Sequence, residues 1–599
     1  MNRLTHQPLV SFTILFVCVT SLPLAATFAH EGHAKRDRLK RQAVAASAPL
    51  IAAADAQDPV QAAAQDPVQA AAQGPVQAAA QDPVQAAAQA QQQESAQPKL
   101  TATGVVFEDL DRDSVRDPNE PGLPGVRVSN GSDIVKTDAN GAYSLPIDDD
   151  EIIFVIKPRD FMTPVDEDQL PKFYYIHKPA GSPENFRYKG VAPTGPLPQS
   201  IDFPLVRRPE PDKFRALLFG DTQPRNVTEV EYMAHDVIEQ VIENKAHGAS
   251  LGVTLGDIVF DDLDVMQPHN RAIALIGIPW YNVIGNHDMN YDAKDDTQSD
   301  ETFERHYGPN YYSFDHGPTH FLVLDDVTWI GEKDGKPGNY VGGFGERQMA
   351  FVRNDLAMIP EDQLVVLMMH IPLTDVQDRK ELYRLIEKRP ATVSLSAHAH
   401  YMEHRFIDDK DGWQGPEKHH HIINVTVCGS WWRGRKDERG IPHAMMSDGG
   451  PNGYSVMEFD GTKYSLDFFA ASRPANYQMN IYAAELVKAS DAASASMVVN
   501  VFAASERARV EARLADQGDG AWEPLERFSA ADPAFLAEAQ REASLGKIDW
   551  EPLPKPQVTP HLWRGKLPTF PGPGTHVIEV RSTEPDGKSV LGRRVIRVE

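Results

Sequence analysis

At 599 residues the chain is too long for a single hydrophobic core, so about three or four folded or linker units are expected. Its 85 acidic residues against 59 basic ones leave a formal net charge of -26, which opposes binding to polyanions such as nucleic acid. A phosphate-bearing substrate would have to meet local positive charge, for instance metal. Of the two cysteines, Cys18 falls in the leader described next, so a disulfide framework and dithiol redox chemistry are excluded.

Residues 1–29 have the three-part pattern of a secretory signal peptide: Arg3, an apolar run from Leu9 to Ala25, then small residues with cleavage expected near Ala29. Ser11, Thr13 and Pro23 make the run a poor permanent span, and bulky Val17 before Cys18 argues against a lipoprotein. Residues 30–98 are an Ala/Gln/Asp/Pro stretch with an eight-residue repeat at Gln57, Gln65, Gln73 and Gln81, which has too little to bury and is expected to be a disordered spacer. Periplasmic or secreted localisation follows from the leader.

Residues 99–206 change to short β-type runs, such as GVVFEDL and AYSLPI, and predict a small β-sandwich. Its stretch DLDRDSVRDPNE sets Asp109, Asp111, Asp113, Asp117 and Glu120 at positions one, three, five, nine and twelve of an EF-hand-like loop, with the Val115 carbonyl at position seven. A hard cation needs oxygens converging from one tight loop, so structural calcium is expected, although Ser114 stands where the sharp turn prefers Gly. The bland reading is a solvated acidic turn. With GLPGVRV and KTDANGAYSL following, the segment resembles the calcium-binding B-type repeats of surface adhesins.

Residues 207–459 alternate apolar runs with helical patterns and predict an α/β core. Residues 460–599 return to β-runs such as MVVNVFAA and THVIEVRS and predict a C-terminal β-sandwich without a cluster of metal-type ligands.

In the core, five of six buried-looking runs end in residues able to bind metal: Asp221, then Asp257, then Asn286 with His287 and Asp288, then His370, then His398 and His400. Ligands in open α/β sheets gather beyond the carboxyl ends of strands, so these side chains can meet although they are far apart in sequence. The ordered set GDTQ, GDIVFDD, GNHD, MMHIP and AHAH resembles the five motifs of the calcineurin-like metallophosphoesterases. With β-domains on both sides, and CGSWW and DGGPNGY late in the core, the chain looks like the exported bacterial members of that family.

The resemblance implies a two-sheet α/β sandwich and a two-metal hydrolase of phosphate esters, monoester or diester, acting through in-line attack of a metal-bridging hydroxide. It implies that Asp257 bridges the two ions, that Asp221 and His400 complete one site, and that Asn286, His370 and His398 complete the other. Manganese, iron or zinc suits these nitrogen and oxygen donors. His287 is implied to stabilise or protonate the leaving oxygen, with Asp288 holding its ring. The sequence departs at Gln223, where His is usual and an amide oxygen would coordinate weakly or leave a water in its place, and at Ala397, where Gly is usual.

His419, His420 and His421 alternate faces on a strand and cannot converge on one ion, so they read as a solvated strand start. Trp431, Trp432, Arg433, Asp448, Asn452 and Tyr454 follow the core's last run, and Trp432, Arg433 and Asn452 are candidates for walling a substrate pocket, with core packing as the alternative. A small-molecule, lipid or nucleotide phosphate ester is the expected partner. Competing functions are a pyrophosphate-bond hydrolase of nucleotide-sugar-like substrates and a catalytically decayed, calcium-stabilised surface protein.

Overall fold

Long runs of buried β-branched and leucine residues set the architecture of the middle of the chain. Leu251–Leu255, Thr319–Val323 and Leu364–Met368 are buried at every position, which suits strands covered on both faces. The computed structural model describes residues 100–333, 338–515 and 521–599, so the leader and the repeat spacer lie outside the described residues. Two sheets form the core. In the first, Trp280–Val283, Leu251–Leu255 and Lys213–Phe219 run parallel, and Gly453–Asp460 and Lys463–Ala470 extend the sheet antiparallel. The second is six-stranded, in the order Tyr312–His316, Thr319–Val323, Leu364–Met368, Thr392–Ser396, His419–Ile423 and Glu403–Ile407.

The register of each sheet places the motif residues. Thr254 pairs with both Phe219 and Asn282, so the loops bearing Asp221, Asp257 and Asn286 leave along one edge. In the second sheet Met368 pairs with Val323 and Leu395, which brings the segments after all three strands level. A bridge between Gly220 and Thr426 then ties the carboxyl ends of the two sheets together.

Two four-stranded sheets lie N-terminal to the core, and a four-stranded and a five-stranded sheet lie C-terminal to it. The expected domain boundary at residue 459 is corrected: Lys463–Ala470 pairs along its whole length with Gly453–Asp460 and belongs to the core sheet. A strand's alternation does not say which sheet it joins. Among the described residues no helix is long and apolar enough to cross a membrane.

Candidate metal centre

The loops at the strand ends are held in unusual backbone conformations. Asp221, Gln223, Asp257, His398, His400 and Trp431 all have positive φ, between 21° and 66°. Residues without glycine's freedom adopt this region at a cost of about 1–3 kcal/mol each, and such strain collects where function fixes a side chain. Two glycines make the approach possible. A Cβ on Gly256, whose φ is +82°, would lie 2.3 Å from His370 Nδ1, and one on Gly285 would lie 2.0 Å from the Asp257 nitrogen. Ala397 is tolerated because its methyl faces Gly220, where an added Cβ would stand only 3.0 Å away.

Around His370 Nε2 three groups converge: Asp257 Oδ1 at 3.2 Å, Asn286 Oδ1 at 3.1 Å and His398 Nδ1 at 3.1 Å. His370 Nδ1 sits 2.9 Å from the Leu255 carbonyl oxygen, an acceptor only, so Nδ1 carries a hydrogen and Nε2 is the nitrogen that a cation would take as a lone-pair donor. Lone pairs so gathered in a buried place repel unless a cation lies among them. A second focus adjoins the first: His400 Nε2 is 3.1 Å from Asp221 Oδ2, while the His398 backbone N–H donates to Asp221 Oδ1 at 2.9 Å. Asp221 is fully buried and its Oδ2 has no hydrogen-bond donor. Orphaned carboxylate oxygen, imidazole lone pairs and an amide oxygen are the donors that divalent transition ions take, so the residues fit a dimetal centre.

The electrostatics carry the same demand. Burial opposes ionisation of Asp257, yet the neighbouring His370 and His287 rings hold its carboxyl far below the ordinary range. Burial likewise disfavours charge on His370, but Asp257 pushes it up to about 10, while desolvation and the His370 ring lower His398 to about 4. The cluster draws positive charge to itself.

Several expected roles change. Gln223 donates its amide N–H to Asp257 Oδ2 at 2.8 Å and turns its oxygen toward Cys428 Sγ at 3.7 Å, so it holds the shared carboxylate and offers the centre nitrogen instead of oxygen. Asp288 does not hold the His287 ring. It is buried and accepts backbone N–H groups from Gly285, Ile258 and Val259 at 2.9–3.1 Å, with desolvation and Asp257 raising it to about 7. His287 Nδ1 instead lies 2.6 Å from Asp261 Oδ1, and its ring stacks on Phe260 at 4.3 Å. Burial works against charge on His287, but Asp257 and Asp261 together raise it.

The proposed pocket wall is also redrawn. Trp432 is buried, its indole N–H donating to the Thr222 carbonyl oxygen, and Asn452 is buried against Asp236 and the Val427 carbonyl oxygen. Arg433 pairs with Glu551 at 3.0 Å and lies over Trp431. Trp431, one residue from the predicted aromatic, reaches the centre by packing its ring against His400 at 4.1 Å, tilted by 37°. His419 and His421 are buried and bonded to Ser394 and Ser396 on the adjacent strand, not solvated; His420 faces the other way onto Phe406. Asp326 was missed. It ends the run HFLVLDD, the one run of six without an assigned ligand, and it accepts the His370 and Ile371 backbone N–H groups, each at 3.1 Å.

In the acidic loop, oxygens of Asp109, Asp111 and Glu120 lie within 4.8 Å of one another. Asp109 also accepts the backbone N–H groups of Arg112 and Ser114, and Glu120 those of Leu110 and Asp117. Asp113 turns Oδ1 to the Val115 N–H, and Val115 is exposed. Ser114 has a φ of +64°, the conformation for which the turn prefers Gly.

Strand ends from two sheets delivering carboxylates, an amide and imidazoles to adjoining foci define a metal-dependent phosphoester hydrolase. Residues 214–402 match the family model of the calcineurin-like phosphoesterase, residues 111–191 that of its N terminal and residues 420–589 that of its C terminal. The chain belongs to the calcineurin-like phosphoesterases. Among solved structures it is similar to a dimetal phosphatase from Danio rerio, at 12% identity over 43% of this chain and 97% of that one, TM-score 0.32. It is also similar to the purple acid phosphatase PPD1 from seeds of yellow lupin, Lupinus luteus, at 12% identity over 58% and 67%, TM-score 0.32. No curated protein matches the chain.

Proposed function

We propose that this protein hydrolyses small phosphate esters, monoester or diester, outside the cytoplasm, with two ions of manganese, iron or zinc. The observation that carries the reading is the convergence of Asp257, Asn286 and His398 on one nitrogen of His370, with the orphaned Asp221 carboxylate beside His400. Asp257, Asn286, His370 and His398 would hold one ion, and Asp221 and His400, with Asp257, would hold the other. When bound, the ions lower the pKa of a water molecule and neutralise phosphoryl oxygens. His287 would turn its Nε2 to the leaving oxygen, because Asp261 occupies Nδ1 and, with Asp257, favours the charged ring. Phe260 and Trp431 present half-buried aromatic faces to the ester group.

The leader supports export, with mature protein expected to begin near His30; terminal sequencing of secreted or periplasmic material checks it. The Asp109–Glu120 loop holds a structural calcium ion on this reading, supported by the gathered carboxylates and by the left-handed turn at Ser114.

The test is turnover of mono-aryl and bis-aryl phosphates after metal loading. Asp257→Asn is expected to lose on the order of a thousandfold in kcat/KM, and His287→Ala about a hundredfold or more, most for poor leaving groups. Wild-type rates in Asp257→Asn would remove the proposed centre, and inactivity of the wild type with every metal would favour a binding protein. The ratio of the two ester rates assigns the reaction class.

A further inference from the structure

The segment that carries His398 and His400 continues into a buried polar chain that ends in the C-terminal domain. Two residues after His400, the Met402 backbone N–H donates to Asp448 Oδ2 at 3.1 Å, and the Ser447 hydroxyl donates to the His400 carbonyl oxygen at 3.3 Å. The same Asp448 oxygen lies 2.9 Å from His561 Nε2, on the strand Val558–Lys566. His561 Nδ1 lies 2.6 Å from Asn500 Oδ1. Asn500 has its amide orientation fixed, since its nitrogen faces two pure acceptors, the Asp448 carbonyl oxygen at 3.2 Å and Asp532 Oδ2 at 2.9 Å. Asp532 caps the helix Pro533–Ser544 through the Ala534 and Phe535 N–H groups.

Asp448, Asn500 and Asp532 are fully buried and His561 is 1% exposed. Buried polar groups are costly unless every partner is in place, and satisfied networks fix a unique geometry. The Met402–Asp448 link touches a segment whose donors, His398 and His400, both sit at positive φ and so need external support to keep their angles.

We propose that His561 of the C-terminal domain is a positioning residue for the metal centre, holding Asp448 so that Asp448 and Ser447 fix the His398–Met402 segment. The C-terminal domain is then part of the catalytic unit, acting on the donors through Asp448. This rests on the dimetal reading above.

The two ring nitrogens of His561 allow a discriminating test. Gln at this position keeps an N–H near the Nε2 place and the bond to Asp448, whereas Asn keeps one near the Nδ1 place and loses that bond. Manganese is titrated calorimetrically into metal-stripped full-length wild type, His561→Gln, His561→Asn and Val580→Ala, the last being a buried core residue of the C-terminal domain outside the network. His561→Asn is expected to bind manganese about tenfold more weakly, with His561→Gln and Val580→Ala within about twofold of wild type. Equal affinity in the Asn and Gln proteins, or an equal loss in Val580→Ala, overturns the proposal and leaves the network as domain packing. Failure of the wild type to bind manganese, iron or zinc would instead remove the dimetal reading itself.

Discussion

The N-terminal β-domain shares one apolar cluster with the catalytic core, running from Ile153 and Phe154 through Phe351 to Leu217 and Val366. The C-terminal β-domain keeps its own cluster around Val499, Val580 and Ile596, and meets the core through a small patch including Met402, Met446 and Phe502 and through the His561 network. The first joint is further locked by buried charge: Arg127 pairs with Asp315 at 2.8 Å and Asp355 at 2.6 Å, and His320 lies between the same two carboxylates. A continuous core forces two sequence-defined domains to unfold together, whereas a separate core joined by polar contacts permits separate melting with communication through a few bonds. The motif-bearing loops are therefore built on a rigid half and steadied from a more independent one.

The strongest way to break this comparison is Arg127→Met. It removes a buried guanidinium and leaves Asp315 and Asp355 with His320 alone between them, and is expected to cost about 3–5 kcal/mol, with the N-terminal domain and core still melting as a single calorimetric transition. Two resolved transitions for these parts would disprove their shared core. Calcium gives the next effect. At a hundredfold excess over its Kd it should stabilise that same transition by about 2.7 kcal/mol, and EGTA should reverse this without moving the C-terminal transition. A smaller change, Val580→Ala, is expected to cost about 2 kcal/mol and to lower the C-terminal transition alone; an equal shift of the core transition would merge the two units.

The smallest effect is expected from pH. Burial opposes ionisation of Asp355, but His320 and Arg127 hold it down to about 2 from 3.8, so its contribution is complete above pH 3.8 and is lost as pH falls through about 2. Burial disfavours charge on His320, yet Asp355 and Asp315 raise it above 6.5, so its contribution is complete below pH 6.5 and is lost as pH rises through the raised value. Denaturant titrations should thus show the N-terminal joint strongest between about pH 4 and 6.5, and His320→Gln should abolish the loss on the alkaline side. An unchanged alkaline slope in that variant would remove His320 from the lock.

The legible part of the site follows from local rules. A strand buried on both faces must end before its chain turns polar, so GDTQ, GNHD and AHAH announced both the strand ends and the side chains set there. The illegible part lies in the partners. Asp288 adjoins His287 in the sequence and Asp261 lies 26 residues away, yet the folded loop turns the distant carboxylate to the ring and spends the adjacent one on three backbone N–H groups.

What the sequence by itself determined was therefore the periodic and the local: an α/β core between β-rich segments, an acidic loop with cation-ligand spacing, and the residue types at each strand terminus. Cross-strand register and domain contact decided the rest, including His419 and His421 satisfied by Ser394 and Ser396, Trp431 in place of Trp432 at the centre, and His561 reaching Asp448 across 113 residues. Hydrogen bonds are short and directional, so a partner is chosen by where the backbone delivers it to within a fraction of an ångström, a choice no composition or spacing encodes.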